Sequence, residues 1–470
     1  MIFAQARMFA LRGSSVWRGR QIRFCVAALV TALAAGGAQA QGAPQIPPPD
    51  SFNPTDANGV NLYSGSYNYS TSVISIGTLG QGGLSYSATF DTSVGEWRNS
   101  TAGMVVEEPF IGPPARGLKY SVTVMGASAL FLPDNGAYSV VDGDGTLART
   151  GAVFTYTALD GSVAEFLGGV TYSPFVANKG LISSLTRPNG ERLIFTYTSV
   201  TMTNGFPARR IQSVTNNLGY QIHFQYASDT WNTDWRRIIK VTALNNAVDA
   251  CAPTANMCAF SQAWPTLTFA QTSTEKSVTD ALGRTTRLLF SGGWLYGVRR
   301  PTNSGGQNIT FTYDMTDGRI ASVHDGAGRW AYTYDPPPVL TPPPVEETST
   351  TTVRNPLSEN TVVTFNSTQV DLGVTDHRIM RVTSVKNHLN QSTSYLYSPE
   401  FRLFKAIYPE GNAQQYRWSG RGDLLSVTGI AKAGAGLANT VASSTLTPGC
   451  SVNPALCGRP QTMTDARGGV

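Results

Sequence analysis

Cysteine spacing is the clearest chemical signal in this 470-residue chain. Apart from Cys25, which lies in an apolar N-terminal run, the cysteines form two Cys-x6-Cys pairs: Cys251 with Cys258, and Cys450 with Cys457. Paired cysteines in an exported chain favour disulfides, so we expect two local bonds. Zinc is the alternative, but it favours tighter spacing and neighbouring histidines. The histidines are scattered along the sequence: His223, His324, His377 and His388.

The sequence contains no recognisable catalytic motif. No serine lies in a Gly-x-Ser-x-Gly elbow, and there is no His-Glu-x-x-His, Walker loop or dinucleotide fingerprint. Recurrent aspartates follow aromatic runs or sit between short extended runs, where an Asp side chain accepts backbone hydrogen bonds in a turn. These aspartates are Asp280, Asp314, Asp325 and Asp335. We therefore predict that they are structural.

Two other acidic groups could carry chemistry. Glu107 and Glu108, near Trp97 in the sequence, could form a glycosidase pair, but adjacent residues of a strand point to opposite faces. The stretch from Asp142 to Gly145 reads Asp-Gly-Asp-Gly, yet it lacks the later ligands and closing Glu of a calcium loop. A hairpin turn is the simpler interpretation. We predict no catalytic residue, no metal and no cofactor, and hence no enzyme.

The elements that position these residues are short strands in a repeated pattern. Between Gly318 and Asp335, two extended runs flank an Asp-Gly-Ala-Gly turn, and Trp330, Tyr332 and Tyr334 share one face of the second run. Runs of the form apolar-x-apolar-x-Tyr recur at residues 193–197, 222–226 and 309–313. Tyr313 and Tyr334 are 21 residues apart, as are Tyr397 and Trp418. A fixed period of this length indicates stacked repeats.

These motifs resemble the YD repeats of the Rhs family, from about residue 180 to the C-terminus. The resemblance rests on Tyr313-Asp314, Tyr334-Asp335, Gly318-Arg-Ile320 and the run from Val278 to Thr286. It implies an all-β fold in which antiparallel hairpin repeats stack into a curved, shell-like (cocoon) sheet, often around a toxic C-terminal domain. The self-cleaving site and the toxin of such proteins would lie beyond the end of this chain.

The sequence divides into four segments. Five arginines, a short apolar run and Ala38-Gln39-Ala40 predict a signal peptide at residues 1–40, cleaved after Ala40. Its apolar run of about a dozen residues is too short to span a bilayer, so we expect no transmembrane span in the mature chain. A Pro-rich linker (41–57), a β-rich region (58–180) and the repeats (181–470) follow, with a Pro-rich loop at 336–346 and a flexible loop at 429–447. The mature protein is expected to be secreted, periplasmic or at the cell surface.

Charge argues against a nucleic-acid partner. Cleavage after Ala40 removes five of the 35 Lys and Arg residues and none of the 30 Asp and Glu residues, so the formal charge falls from +5 to zero. No later segment concentrates basic residues with interleaved aromatics. The arginine pairs at 209–210, 236–237 and 299–300 are interpreted as solvated charges of edge strands.

Two functional hypotheses follow. The first is an exported, non-enzymatic scaffold or shell, resembling Rhs proteins of contact-dependent competition or toxin packaging, with a toxin domain or the rest of its shell as partner. The second is a carbohydrate-binding or adhesive surface protein, because exposed Tyr and Trp rings can stack on sugars.

The last residues repeat the first strand and turn of a repeat without its partner strand, so we expect a fragment of a longer protein. An enzyme would need a cleft of converging polar groups.

Overall fold

The computed structural model describes residues 49, 52–112, 115–134, 136–170, 178–302, 308–335, 346–371, 377–446 and 459–469. In these ranges the chain is all-β, with 33 strands and no helix. The predicted fold class is therefore confirmed. The described residues include no helix long and apolar enough to cross a membrane. The predicted signal peptide, Cys450, Cys457 and all but the last residue of the Pro-rich loop lie outside these ranges.

Residues 52–102, here called the N-terminal segment, form two small sheets of their own. β1, β4 and β5 make an antiparallel sheet in the order β1-β4-β5, and β2 pairs with β3. The strands are β1 (Asn68–Ser70), β2 (Ile74–Ile76), β3 (Leu84–Tyr86), β4 (Ala88–Asp91) and β5 (Glu96–Asn99). These strands are too short to hold together by themselves, so the segment depends on packing against the rest of the chain.

The other 28 strands belong to one antiparallel sheet, which forks at its eighth strand. In β13, residues 178–181 pair with β6, whereas residues 184–186 pair with β14. The strands up to the fork are β6 (Gly103–Gly112), β7 (Ala115–Val124), β8 (Ala127–Asp134), β9 (Ala137–Asp142), β10 (Thr146–Thr150), β11 (Val153–Thr157), β12 (Val163–Val170) and β13 (Asn178–Thr186). Because β13 crosses residue 181, the predicted boundary between the β-rich region and the repeats does not divide the sheet.

From β14 onward each strand pairs with the next. The strands are β14 (Arg192–Thr201), β15 (Pro207–Asn216), β16 (Tyr220–Tyr226), β17 (Ile238–Asn245), β18 (Thr266–Gln271), β19 (Glu275–Thr279), β20 (Thr285–Ser291), β21 (Trp294–Arg299), β22 (Ile309–Tyr313), β23 (Ile320–His324), β24 (Arg329–Tyr334), β25 (Glu346–Arg354), β26 (Asn360–Asp371), β27 (His377–Lys386), β28 (Ser392–Tyr397), β29 (Leu403–Ile407), β30 (Ala413–Trp418), β31 (Leu424–Ile430), β32 (Thr440–Leu446) and β33 (Pro460–Thr464). Residues 440–446 were expected in a flexible loop, but they form β32 and pair with β31 and β33.

β-bulges recur where an aromatic residue ends a repeat run. The pairing register shifts by one residue immediately before each of Tyr197, Tyr226, Phe290, Tyr313, Tyr397 and Trp418. A bulge bends its strand and increases the local twist. Repeating it from hairpin to hairpin therefore gives the sheet a consistent curvature.

This curvature brings distant strands into contact. The Arg381 guanidinium of β27 forms an ion pair with Asp142 at the end of β9. The Gly145 N–H, just before β10, donates to the Arg421 carbonyl, which precedes β31, at 2.9 Å. The Arg421 side chain in turn donates to the Ala158 carbonyl at 3.4 Å. The sheet therefore curves back on itself, as the resemblance implies.

Candidate functional site

The repeat rings lie on one buried face of the sheet, here called the aromatic face. Tyr332 is 4% exposed, while Trp330 and Tyr334 of the same strand are half-buried and pack against the same core. The larger rings of this face are Phe224, Phe269, Phe290, Phe311, Tyr332, Phe365 and Tyr416. The prediction that alternating aromatics share a face is confirmed by their burial.

The N-terminal segment covers this face. Five rings of the segment contact rings of five different sheet strands, with centroid separations between 4.8 and 5.8 Å. The pairs are Tyr63–Phe365, Tyr67–Phe311, Tyr86–Phe224, Phe90–Phe290 and Trp97–Phe269. Edge-to-face and tilted ring pairs of this kind add stability beyond the area that they bury. The segment is therefore held along the sheet from β16 to β26.

Backbone carbonyls of the segment also accept hydrogen bonds from the sheet. The Ile320 N–H donates to the Gly65 carbonyl at 3.0 Å. The other sheet donors are the Thr351 hydroxyl to Leu62, the Asn216 amide to Gly82 and the Lys276 ammonium to Gly95. At Gly65, where φ is +67°, an added Cβ would lie 2.4 Å from the Arg319 Cβ. Only glycine allows this close approach.

A partly buried polar contact joins the segment to the centre of the repeats. The Tyr332 hydroxyl donates to Asp56 Oδ2 at 2.6 Å and accepts from Asn58 Nδ2 at 2.9 Å. The other Asp56 oxygen accepts the N–H groups of Asn58 and Val60, which fixes the local turn. Burial and the nearby Asp56 carboxylate raise the pKa of Tyr332. The phenol therefore stays protonated and remains a donor.

In four repeat runs, the ring that ends the run also donates a hydrogen bond. Its polar tip reaches a carbonyl of the preceding strand, at 2.8 to 3.0 Å: Tyr313 to Leu295, Tyr334 to Ile320, Tyr397 to Val382 and, through the indole N–H, Trp418 to Leu403. Burial raises the pKa of Tyr313 and of Tyr397 to about 12, so both stay protonated. This contact explains why Tyr, or Trp with its N–H, ends the run. The recurrence of Tyr at the end of the run is the signal in the sequence, but the alternation alone does not reveal the hydrogen bond.

Three of the four repeated aspartates are turn residues, as predicted. Side-chain oxygens of three of them accept backbone N–H groups within their own turns, at 2.8 to 3.0 Å: Asp280 from Leu282 and Arg284, Asp314 from Thr316, and Asp325 from Ala327 and Gly328. The N–H of Ala327 is the main cause of the lowered pKa of Asp325. The Asp335 carboxylate instead accepts the hydroxyl of Thr350 in β25.

The other acidic candidates are engaged in ion pairs and turn contacts. Glu107 pairs with Arg149 at 3.1 Å, whereas its neighbour Glu108 pairs with Lys119 at 3.6 Å. In the turn between β9 and β10, Asp142 pairs with Arg381, and Asp144 Oδ1 accepts the Tyr156 hydroxyl at 3.1 Å. The structure therefore gives each of these carboxylates a structural partner.

The first cysteine pair forms a disulfide, Cys251–Cys258, with its Cα atoms 5.7 Å apart. The fold brings His223 to this bond, a proximity that the sequence spacing does not reveal. A nitrogen of its ring and the two sulfurs lie within 4.8 Å of one another. His223 Nε2 lies 2.9 Å from the Ala255 carbonyl inside the loop, and burial lowers the pKa of His223. A neutral imidazole thus supports the disulfide loop.

Replacing both Cys251 and Cys258 with Ser is expected to lower the free energy of unfolding by about 2 kcal/mol, because the short loop is no longer closed in the unfolded chain. Urea denaturation measures the change. A Cys450→Ser/Cys457→Ser background serves as control, since reductant there acts on the first pair alone. Reduction in that background should reproduce the loss. Equal midpoints for the oxidised protein and the Cys251→Ser/Cys258→Ser variant would contradict the prediction.

The arginine pairs are not edge-strand charges, contrary to the sequence interpretation. Arg210 lies in β15, which pairs with both β14 and β16. Its side chain is buried between the rings of Tyr226 and Trp235, with 4.1 and 4.8 Å to the ring centroids, and pairs with Asp229 at 3.0 Å. Arg299 lies in β21, between β20 and β22. Arg210 and Arg299 therefore belong to inner strands, so protection of a sheet edge does not explain their charges.

No family model and no curated protein matches this sequence. Among solved structures, it is similar to "TcdB2-TccC3-TEV", with a TM-score of 0.36 and 11% identity over 82% of this chain. It is also similar to "TcdB2-TccC3 without hypervariable C-terminal region", with a TM-score of 0.35 and 12% identity over 77% of this chain. A Tc holotoxin pore of Photorhabdus luminescens gives a TM-score of 0.25 and 9% identity over 77% of this chain. The chain spans 19 to 20% of the length of these structures.

Proposed function

We propose that this chain is a non-enzymatic scaffold of the Rhs YD-repeat type, whose curved sheet holds polypeptide against its aromatic face. One observation carries the proposal. The N-terminal segment, which is not part of the repeats, lies on that face through five ring pairs and through carbonyls that accept hydrogen bonds from the sheet. A surface that makes both apolar and backbone contacts is suited to a peptide chain, because it satisfies the peptide's polar groups as well as its side chains.

The buried rings favour this function over carbohydrate binding by the aromatic face. Stacking on a sugar requires an accessible ring face, whereas Phe224 and Phe365 are fully buried and contact Tyr86 and Tyr63 of the segment. The resemblance to YD repeats supports the scaffold as well. The two residue types that recur in these repeats both have structural roles. The aspartate accepts hydrogen bonds in the turn, and the aromatic ring at the bulge donates one through its polar tip.

The finer proposal is that the longer protein is exported and packages a toxic domain or completes a shell with it, for use in competition between cells. Export after cleavage at Ala40 is supported by the signal-like N-terminus and by the disulfide Cys251–Cys258, since disulfides persist in oxidising compartments. The absence of enzymatic activity in this chain is part of the proposal. It is supported by the ion pairs and turn contacts that engage the acidic candidates.

Hydrogen exchange of the mature chain tests the scaffold function. Amides of the N-terminal segment should exchange as slowly as those of β16 and β22, because they are protected only while the segment lies on the aromatic face. Adding neutral oligosaccharides should leave the exchange unchanged. Exchange of the whole segment within seconds, or protection of the repeat strands by an oligosaccharide, would overturn the proposal and favour a carbohydrate-binding face.

A further inference from the structure

Four arginines surround one open cavity of about 430 Å³ beside β20 and β21. Arg284, Arg287, Arg299 and Arg300 line it, together with Gly283, Thr285 and Pro301. No carboxylate is among these lining residues, which all belong to the described part of the chain. The cavity therefore presents a concentrated positive surface in a chain whose mature net charge is predicted to be zero.

The strand register places two of these charges directly opposite each other. Arg287 of β20 and Arg299 of β21 are Cα partners in the antiparallel pair. Like charges in directly opposed positions destabilise a sheet. Because β20 and β21 each have a strand on both sides, these charges do not serve to protect an exposed sheet edge. Glu275 already pairs with Arg287, and an anion bound between Arg287 and Arg299 would further offset the repulsion within this opposed pair.

Neighbouring acids orient two of the guanidinium groups without covering them. Asp280 holds Arg284 through Nη2 at 2.7 Å and Nε at 2.8 Å, and Glu275 holds Arg287 through Nη1. The Arg284 and Arg287 side chains nevertheless keep 58% and 43% of their surface exposed. A guanidinium has five N–H donors, so each retains donors for a second acceptor. These two guanidinium groups are held by ion pairs and remain accessible from solvent.

We propose that this arginine cavity binds a tetrahedral oxyanion, a phosphate or sulfate group, that bridges Arg287 and Arg299. Guanidinium groups match such oxyanions in paired, charge-assisted hydrogen bonds, and one anion between two arginines converts their repulsion into attraction. The cavity is larger than one free ion requires. It therefore also accepts an oxyanion carried on a larger molecule, such as an anionic polysaccharide.

The test measures binding of two probes to the mature chain at a constant ionic strength set with sodium chloride. The first probe is inorganic phosphate, whose binding is measured by ³¹P NMR line broadening. The second is heparin, a sulfated polysaccharide. The variant is Arg287→Gln/Arg299→Gln. Its matched control is Arg354→Gln, which removes an exposed arginine at the end of β25. We expect the variant to bind at least about tenfold more weakly, because it loses charge-assisted hydrogen bonds, and the control to change by less than about twofold.

The outcomes separate the sources of the anion. Saturable phosphate binding that the variant loses supports a site for the free ion. Heparin binding alone, also lost in the variant, supports an oxyanion carried on a polymer. If neither probe binds, or if variant and control weaken equally, the site is refuted and only non-specific charge remains. Circular dichroism checks that the variant folds. If it does not, Arg300→Gln replaces it, since Arg300 is exposed and lies just outside β21.

Discussion

Replacing Tyr332 with alanine is expected to lower the free energy of unfolding by about 4 kcal/mol. The ring is 4% exposed and lies in the core shared by the repeats and the N-terminal segment, so its removal leaves a cavity. Its hydroxyl also donates a hydrogen bond to Asp56 and accepts one from Asn58. Without it, a partly buried carboxylate loses a donor, which adds to the cost of the cavity.

Two variants separate these contributions in chemical denaturation followed by tryptophan fluorescence. Tyr332→Phe keeps the ring and removes only the hydroxyl, so it should cost about 1 to 2 kcal/mol. Tyr296→Ala removes a ring of β21 that is 39% exposed and should cost less than about 1 kcal/mol. Similar losses for Tyr332→Ala and Tyr296→Ala would mean that the aromatic face is not buried in solution.

Local sequence patterns were sufficient to predict the fold class. Alternating apolar residues directly predict strands, as in the run from Ile309 to Tyr313, and an Asp beside a glycine predicts the turn at Asp325. Both signals depend on neighbours along the chain. The same alternation predicts that Trp330, Tyr332 and Tyr334 share one face, but it does not decide whether that face is buried.

Long-range contacts could not be predicted in this way. The strands of the N-terminal segment were correctly predicted. Its role, however, depends on ring contacts such as Tyr67 with Phe311, and these two residues are far apart in the sequence. The opposition of Arg287 and Arg299 depends on a bulge between Leu289 and Phe290. A one-residue shift there changes which residues face each other, and the amino-acid sequence of β20 does not predict this shift. His223 reaches the disulfide for a similar reason, since β16 and the cysteine loop meet only in the folded sheet.

Removing the N-terminal segment is expected to have the largest effect on the protein. A chain of residues 103–470 would lose the five ring contacts across the aromatic face. At about 1.5 to 3 kcal/mol for each buried ring, the loss is on the order of 10 kcal/mol, which is comparable to the whole net stability of a domain. We expect this chain to aggregate more readily and to bind more of a hydrophobic dye than the intact mature chain.

Supplying the segment as a separate peptide should reverse the effect. A peptide of residues 46–102, present during refolding, should return dye binding to the level of the intact chain and restore a single species in size-exclusion chromatography. The matched control is the same peptide with Tyr67→Ala and Phe90→Ala, which removes two of the ring contacts and should restore little. If residues 103–470 alone are monomeric and bind no dye, the aromatic face does not require a polypeptide, and the scaffold proposal fails.

The same assay distinguishes a dedicated partner from a general one. Contacts such as the Gly65 carbonyl with the Ile320 N–H can be made by any peptide that places a carbonyl there. The contact of Tyr332 with Asp56 and Asn58 requires specific side chains. A scrambled peptide of the same composition should therefore compete poorly if the face is built for its own segment. Equal rescue by native and scrambled peptides would instead indicate a surface that holds apolar polypeptide in general, as the packaging of an unrelated domain requires.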